Sequence, residues 1–523
     1  MPGAVDIQVL DRILISIAEE MGIVLKRSAF SSNIKERRDF SCAIFDKNAQ
    51  LLAQAAHIPV HLGAMPDTVS EIMQRFDLEP GDIVITNDPF KGGTHLPDIT
   101  LVSGVFDRHG DRLLFYLAAR AHHADVGARH PGSMALCTSL DDEGVLIEPC
   151  LLSRNGKLLD DRLGDICLRM RNPTERAGDI RAQMACLLRG EKRLHELLDR
   201  YGHDRLFGLV PHLVDYGRRY MENTISEIPD GFYEFEDFLD DDGLSSRPVP
   251  ICVKIDISSK RAVVDFAGTA AQLGTSLNAT KSVTASAVFY CFFCLLEEGC
   301  PVNAGSFAPI DIKIPEGNLL NPLPPAPVAA GNVETSQRVV DVVFGALSNV
   351  LVSIIPAASC GSMNNLSIGG KWPDGREFTY YETIGGGMGA RPGKHGISGI
   401  QVHMTNTLNT PVEALEQTYP IVVERYGLRH GSGGAGKYRG GDGIVRRYRF
   451  IHPCTFSLLT ERRVLAPYGL YGGSNGKRGR NILFRHGSSA GEDIPGKCTM
   501  EAQPGDILEI RTPGGGGWGR FDS

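Results

Sequence analysis

The sequence lacks the features that would direct it to a membrane or to a nucleic acid. No apolar run approaches the roughly 20 positions needed to cross a bilayer. The first residues contain no basic segment followed by an apolar run, so we expect no signal peptide. The net charge is -8 and the arginines are scattered. This balance argues against nucleic acid or an anionic membrane as the main partner.

Cysteine patterns for disulfides or zinc are also missing. Twelve cysteines are spread over 523 residues, which is typical of reduced, mostly buried thiols in a cytoplasmic protein. Cys291 and Cys294 form one C-x-x-C motif, but no second Cys or His pair lies at zinc spacing. We therefore predict that this motif belongs to the core.

No familiar nucleotide-binding loop occurs. The pattern GxxxxGK[ST] is absent. Residues 431–436 resemble a dinucleotide loop only loosely, because a glycine-rich stretch follows them in place of a helix. We expect that this chain binds no nucleotide through such a loop.

Length and periodicity predict an α+β protein with several subdomains. The chain is too long for one ordinary core, and its apolar fraction of 42% is that of a globular protein. Helical and strand patterns alternate, with a helical middle and a β-dominated C-terminal lobe rich in glycine. The predicted regions are an N-terminal α+β region with the candidate site at 1–162, a helical region at 163–230, an α+β region at 231–320 and the β-rich lobe at 321–523.

A helix start is predicted at Asn172. Asn172 is a plausible N-cap, Pro173 suits the first turn, and Glu175 stands three residues later, as in a capping box. The helix should extend over residues 173–201.

The first cluster of reactive side chains follows a predicted strand at 83–86. It contains Asp88, His95 and Asp98 within eleven residues. His95 and Asp98 can converge on one ion if the intervening Leu96 and Pro97 form a turn. Imidazole with carboxylate suits zinc, manganese or iron better than calcium or magnesium.

The second cluster contains His122, His123 and Asp125, just after a predicted strand at 113–120. If that strand pairs antiparallel with the strand at 99–106, the hairpin brings His122 and Asp125 to the first cluster. We therefore predict a metal-dependent catalytic site within residues 86–127. The alternative is that these are turn and capping residues.

Two further groups remain open. Glu36 and Asp39 belong to a charged run that is either a solvated surface or a source of one carboxylate at the start of a strand. His57 and His61 lie in an apolar segment and are either hydrogen-bonded core residues or pocket lining.

Nine short motifs are spread along nearly the whole chain. They are RDFSCA at 38–43, HIPVHLG at 57–63, NDP at 87–89, GGTHLPD at 92–98, HHADVG at 122–127, GDIRAQ at 178–183, GNVE at 331–334, NT at 406–407 and GGAG at 433–436. Through these motifs the chain resembles the hydantoinase B/oxoprolinase family. This family includes B subunits of ATP-dependent hydantoinases and lactamases, the C-terminal half of 5-oxoprolinases, and a subunit of acetone and acetophenone carboxylases.

The resemblance implies a hetero-oligomer with an A-type subunit that binds ATP and phosphorylates the substrate. The chain itself would hold a divalent metal, manganese or zinc, and His95, Asp98 and His122 match the ligand motif. Asp39 or Glu36 falls where one more carboxylate is expected. His123 replaces an aromatic residue of the carboxylase motif.

The implied reaction is hydrolysis of a cyclic amide. Phosphorylation would turn the carbonyl oxygen into a leaving group, and a water activated by the metal could then attack the carbon. The candidate catalytic residues are Asp98, Asp125, His123 and Glu36, with Asp98 or Asp125 as general base. The alternatives are the corresponding subunit of a ketone carboxylase and a non-catalytic scaffold for the A-type subunit.

Overall fold

The computed structural model describes residues 4–55 and 57–520. The signal-peptide expectation rests partly on residues 1–3, which lie outside the described residues, as does Ala56 of the apolar histidine segment. The α+β prediction is confirmed, since helices mix with several separate sheets. Within the described part of the chain, no helix combines the length and apolarity that crossing a bilayer demands. The helices are α1 Ala4–Ser28, α2 Ser32–Lys35, α3 Ala64–Arg75, α4 Leu140–Glu143, α5 Asp160–Leu168, α6 Pro173–Tyr201, α7 His203–Ser226, α8 Lys281–Phe293, α9 Ala304–Phe307, α10 Ser336–Ser348 and α11 Val412–Thr418.

A seven-stranded antiparallel sheet organises the N-terminal part. Its strands are β1 Phe40–Asp46, β2 Leu51–Gln54, β3 Ile83–Thr86, β4 Asp98–Phe106, β5 Leu113–His122, β6 Cys150–Arg154 and β7 Lys157–Leu158. They are ordered β2-β1-β5-β4-β3-β6-β7. Every residue of β1 is buried because alternate side chains enter two different cores. Cys42 and Ile44 pack in the core with α1 and α6, whereas Ala43 and Phe45 pack in the core with α3.

The predicted hairpin of β4 and β5 is confirmed. The two strands pair antiparallel, and Asp98 lies directly opposite His122. On its other side β5 pairs with β1, where Ala121 lies opposite Phe40. The ends of these three neighbouring strands therefore bring Asp98, His122 and Asp39 together at one end of the sheet.

A second sheet lies beyond the helical middle. Its strands are β8 Gly231–Leu239, β9 Val249–Ser258, β10 Arg261–Asp265 and β11 Ile310–Lys313, ordered β11-β10-β9-β8. Helices α8 and α10 share its core. A π-helix at Gly331–Thr335 precedes α10 directly. This rare helix type occurs often at functional sites, and here it delivers Asn332 to the candidate site.

Two further sheets dominate the residues after 364. One contains β12 Asn365–Lys371, β13 Glu377–Glu382, β16 Cys454–Leu459 and β19 Lys497–Ala502 in the order β13-β12-β16-β19. The other contains β14 Ile421–Arg429, β15 Gly443–Phe450, β17 Arg480–Phe484, β18 Gly491–Ile494 and β20 Ile507–Arg511 in the order β14-β15-β20-β17-β18. The four region boundaries stay a prediction, although α6 and much of α7 pack in the same core as the first sheet.

The capping box at Asn172 is wrong, although the helix start is right. Asn172 adopts a left-handed conformation with φ of 53° and makes no capping hydrogen bond. Glu175 pairs with the buried Arg176 and does not reach back to the N-cap. Pro173 occupies the first turn as predicted.

The C-x-x-C motif lies at the end of α8. Cys291 is buried there, as predicted, while Cys294 is exposed, contrary to the prediction. The helix ends at Phe293, so Cys294 falls outside the packed face.

Glu143 makes the stability of this fold depend on pH. Burial raises the pKa of Glu143 to about 8, against the smaller effect of N–H donation from Ala329 and Val328 to Oε1. Between about pH 4.5 and 8 only the unfolded chain has lost this proton, so the free energy of unfolding falls by ~1.4 kcal/mol per pH unit. Glu143→Gln should remove this component. The unfolding midpoints of the wild type and of Glu143→Gln are measured at pH 5 and at pH 8. If the midpoint changes equally between the two pH values in both proteins, the prediction is contradicted.

Candidate metal centre

Hydrogen bonds from buried polar side chains hold the loop between β3 and β4. Asn87 donates from Nδ2 to the carbonyl of Leu96 at 2.7 Å and accepts from the N–H of Ile147 at Oδ1, at 2.6 Å. Gly92 has φ of 80°, and a Cβ there would lie 2.2 Å from the backbone nitrogen of Thr68. Only glycine suits that conformation and that approach. These contacts determine the course of the loop between β3 and β4.

The predicted turn between His95 and Asp98 is present. The backbone N–H of Asp98 donates to the carbonyl of His95 at 3.0 Å, across Leu96 and Pro97. The carbonyl of Pro97 accepts from the N–H of His123 at 2.9 Å, which ties the turn to the end of β5. The turn places the side chains of His95 and Asp98 together inside the protein.

His95, Asp98 and His122 form one buried cluster. Each offers a ligand atom, and these three atoms lie within 4.8 Å of one another. His95 Nε2 is 3.3 Å from Asp98 Oδ2, and His122 Nδ1 is 3.5 Å from Asp98 Oδ1. All three residues are at most 3% exposed. A cluster of this compactness is suited to holding one divalent cation.

Unpartnered polar atoms in this cluster support the same conclusion. Within the described residues, His95 Nδ1, Asp98 Oδ1 and His122 Nε2 are buried without a hydrogen-bond partner. A buried polar atom without a partner costs about 1–3 kcal/mol, and a cation would remove that cost for the atoms it binds. Two imidazoles and a carboxylate are donors that zinc, manganese and iron accept.

The space beside the cluster is small. A cavity of about 20 Å³ touches Asp98 and His122 and also His61, Asn332 and Tyr381. That volume suffices for about one water molecule or one ion. A cyclic amide does not fit into it in this conformation.

The protonation states of the cluster suit ligation. Burial lowers the pKa of His122, more than the adjacent Asp98 carboxylate raises it. Burial acts to raise the pKa of Asp98, but the adjacent His95 and His61 hold it well below its usual range. His122 is therefore neutral and Asp98 ionised near pH 7, which are the forms that bind metals.

Asp39 borders the cavity and Glu36 does not. The carbonyl of Asp39 accepts from the N–H of His122 at 3.0 Å, and its carboxylate lies 3.7 Å from Arg37 Nη2. Asp39 is buried and lines the same cavity as Asp98. Glu36 caps α2 and is partly exposed. Of the two predicted carboxylates, Asp39 is the one placed beside the cluster.

Asp125 and His123 face other partners. Asp125 Oδ2 lies 3.1 Å from Arg171 Nη1 and accepts from the N–H of Gly132, so its carboxylate is engaged away from the three-residue cluster. The expectation that the hairpin brings Asp125 to His95 and Asp98 is therefore wrong. His123 follows His122 directly, so its ring points to the opposite face. Its Nε2 lies 3.0 Å from Oε1 of Gln183, on α6.

Three contacting residues received no role from the sequence. Thr94 donates from Oγ1 to Asp98 Oδ2 at 2.5 Å, and Asn332 Nδ2 lies 3.2 Å from His95 Nε2. The Tyr381 ring stacks on His122, with centroids 4.8 Å apart. Thr94 and Asn332 stand inside quoted family motifs, but a motif does not say which side chain points inward. Tyr381 had no signal in the sequence.

His61 lines the site, one of the two alternatives left open for it. Its Nε2 lies 3.1 Å from Asp98 Oδ2 and its Nδ1 2.9 Å from Ser41 Oγ. It therefore helps to orient the Asp98 carboxylate. His57 accepts from the N–H of Cys42 at Nδ1, at 3.2 Å.

The fold and this cluster define an α+β protein with a buried His–Asp–His site suited to a divalent metal. A model of the hydantoinase B/oxoprolinase family matches residues 3–521, and the chain belongs to this family. The resemblance inferred from the motifs is thereby confirmed over almost the whole chain.

The relatives of this chain differ in length. An uncharacterised protein of Methanocaldococcus jannaschii is 42% identical over 96% of this chain and 88% of its own. The 5-oxoprolinase 1 of Arabidopsis thaliana is 40% identical over 98% of this chain but 42% of its own length. The chain therefore spans less than half of that plant protein.

Two solved structures share the fold. The ATP-dependent caprolactamase from Pseudomonas jessenii has a TM-score of 0.92 at 26% identity, covering 99% of this chain and 92% of its own. An acetone carboxylase has a TM-score of 0.89 at 18% identity, covering 98% of this chain and 75% of its own, and shows a shared fold alone.

Proposed function

We propose that this chain is the metal-containing, B-type component of an ATP-dependent cyclic amide hydrolase. The observation that carries the proposal is the buried cluster of His95, Asp98 and His122, in which one ligand atom from each residue lies within 4.8 Å of the other two. The names of two relatives, a 5-oxoprolinase and an ATP-dependent caprolactamase, support the substrate class of cyclic amides.

A divalent ion, manganese or zinc, would be held by His95, Asp98 and His122, with Asp39 as the additional ligand. Such an ion supplies a Lewis acid and lowers the pKa of bound water toward ~7. Two observations support Asp39 as the additional ligand: it lines the cavity, and its backbone carbonyl is hydrogen-bonded to the N–H of His122.

The neighbouring side chains position these donors. His61 and Thr94 both contact Asp98 Oδ2, so they fix the orientation of the carboxylate and leave Oδ1 without a hydrogen bond. Asn332 holds His95 from the π-helix, and Tyr381 holds His122 by stacking. Fixed donors of this kind avoid reorganisation when charge develops in the transition state.

ATP chemistry would take place on an A-type partner in a hetero-oligomer. Two observations support this division. The sequence has no familiar nucleotide loop. The match to the plant 5-oxoprolinase leaves more than half of that protein outside it, where further functions can reside. The partner would phosphorylate the amide carbonyl oxygen, and this chain would bind and hydrolyse the product.

Co-purification with an A-type subunit tests the proposal. We expect about one divalent ion per chain by elemental analysis, and ATP hydrolysis coupled to ring opening in a screen of cyclic amides. A metal-free wild-type chain would contradict it. Bicarbonate-dependent turnover with a ketone, in place of ring opening, would assign the chain to carboxylation instead.

A matched pair of variants tests the fourth ligand. Asp39→Asn should weaken metal affinity by about 10–100-fold, because it removes one charged donor at the cavity while preserving shape. Glu36→Gln should leave metal affinity unchanged, since Glu36 is partly exposed outside the cavity. Metal affinity is measured by competition with a chelator of known affinity. Equal losses of metal affinity in both variants would show that Asp39 acts only through its negative charge and not as a ligand.

A further inference from the structure

A larger cavity lies next to the small cavity beside the His95, Asp98 and His122 cluster, which we call the metal chamber. We name it the outer cleft, and its volume is about 540 Å³, against about 20 Å³ for the chamber. A cleft of this size accommodates a small organic molecule, which the chamber does not. The charged and polar residues that line the outer cleft are Glu19, Lys26, Arg27, Arg38, His57 and Asn406.

One thickness of backbone separates the two cavities. Three chain segments form this wall, and in each of them one residue lines the chamber while its neighbour lines the outer cleft. The wall segments are tied together, since Asn406 donates from Nδ2 to the carbonyl of His57 at 3.0 Å. The neighbouring pairs, with the chamber residue first, are Asp39 and Arg38, Ile58 and His57, and Thr405 and Asn406.

The outer cleft carries an excess of positive charge. Lys26 and Arg27 stand in the last turn of α1, and Arg38 lies two residues before β1. Among residues 4–55 and 57–520, none of these three cations forms an ion pair, and Glu19 is the single carboxylate in the lining. Unpaired cations in a concave site attract anions more strongly than the same charges on an open surface.

His57 adds a neutral donor. The N–H of Cys42 donates to His57 Nδ1 at 3.2 Å, so a neutral ring carries its hydrogen on Nε2. Burial, with a smaller effect from His61, lowers the pKa of His57 to about 4, which keeps the ring neutral. A Cβ at Gly22 would lie 2.7 Å from Nε2, so this edge of the ring packs beside Gly22, and both residues line the outer cleft.

We propose that the outer cleft binds a small phosphate-bearing anion through Lys26, Arg27, Arg38 and the His57 Nε2–H. Its identity rests on the proposed function: the anion would be the phosphorylated cyclic amide, held in the outer cleft before it reaches the metal. The chamber is too small for that molecule, whereas the outer cleft has the volume and the charge. Free inorganic phosphate shares the same chemistry and would occupy the same cations after hydrolysis.

Calorimetric titration of the full, metal-depleted chain tests this inference. Phenyl phosphate, a stable ring that carries a phosphate, should bind saturably with one site per chain, and inorganic phosphate should compete with it. Arg27→Gln combined with Arg38→Gly should weaken the Kd at least ten-fold. Glycine is chosen at position 38 because Arg38 has φ of 59°. Lys26→Gln gives the same test where the double variant does not fold.

The matched control is Arg154→Gln. Arg154 is exposed on β6, which lies four strands away from β1 in the seven-stranded sheet, and its variant should bind phenyl phosphate as the wild type does. Absence of saturable binding, equal weakening in the control, or displacement by uncharged benzamide would each overturn the inference. Because these titrations need neither metal nor ATP, their failure is distinguishable from failure of the proposed function, which metal content and ring opening report.

Discussion

His95→Ala is expected to abolish ring opening while leaving ATP hydrolysis by the partner intact. His95 contributes one of three clustered donors and is fully buried, so alanine removes a ligand atom from the interior of the cluster. We expect metal content to fall below about one tenth of the wild-type value. Ring opening should fall by about 10³-fold or more, which corresponds to about 4 kcal/mol of lost transition-state stabilisation.

The measurement combines elemental analysis with separate assays for phosphate release and for the opened product. His109→Ala is the matched control, because His109 is exposed in the turn at the other end of the same hairpin. It should retain both activities and the metal. Full ring opening by a metal-free His95→Ala chain would refute the proposed role of the cluster. Loss of ATP hydrolysis together with ring opening would instead point to a failure of assembly with the partner.

Arg462→Met is expected to cause the largest loss of stability. Arg462 is 1% exposed, and its Nη2 lies 2.6 Å from both Asp237 Oδ2 and Asp341 Oδ2. It thereby joins three parts of the chain, on β8, on α10 and after β16. Methionine would leave buried carboxylates without this cation, at a cost of about 3–5 kcal/mol. The thermal midpoint should fall by on the order of 10 °C.

Arg480→Met provides the control, because the ion pair of Arg480 with Asp493 is about half exposed. Its loss should cost less than about 1 kcal/mol. Adding Asp341→Asn to Arg462→Met should recover part of the midpoint, since Asp237 also has Arg338 at 3.1 Å. Similar midpoints for Arg462→Met and Arg480→Met would contradict the assignment of the buried network as a main support of the fold.

The parts of the fold that were predicted correctly follow mainly from local sequence patterns. The antiparallel hairpin of β4 and β5 follows from two apolar runs around a polar turn, and it placed His122 opposite Asp98. The turn between His95 and Asp98 follows from proline and the short spacing. The prediction failed at Asn172 because its left-handed backbone disables capping, and local residue types do not reveal that conformation.

What the sequence by itself determined is the set of donors. Imidazole and carboxylate at the two ends of one hairpin predict a metal-binding cluster, because strand pairing converts sequence spacing into proximity. The same argument placed Asp125 in the cluster, wrongly, because it could not include Arg171, a competing partner 46 positions later.

Only the tertiary structure decided which side chains surround those donors. Asn332 and Tyr381 reach His95 and His122 from more than 230 residues away, through a π-helix and a strand of a different sheet. The choice of Asp39 over Glu36 at the cavity, and the wall between the chamber and the outer cleft, depend on the same long-range packing. Contacts between such distant segments are set by how whole layers pack, and no periodicity in the chain records that.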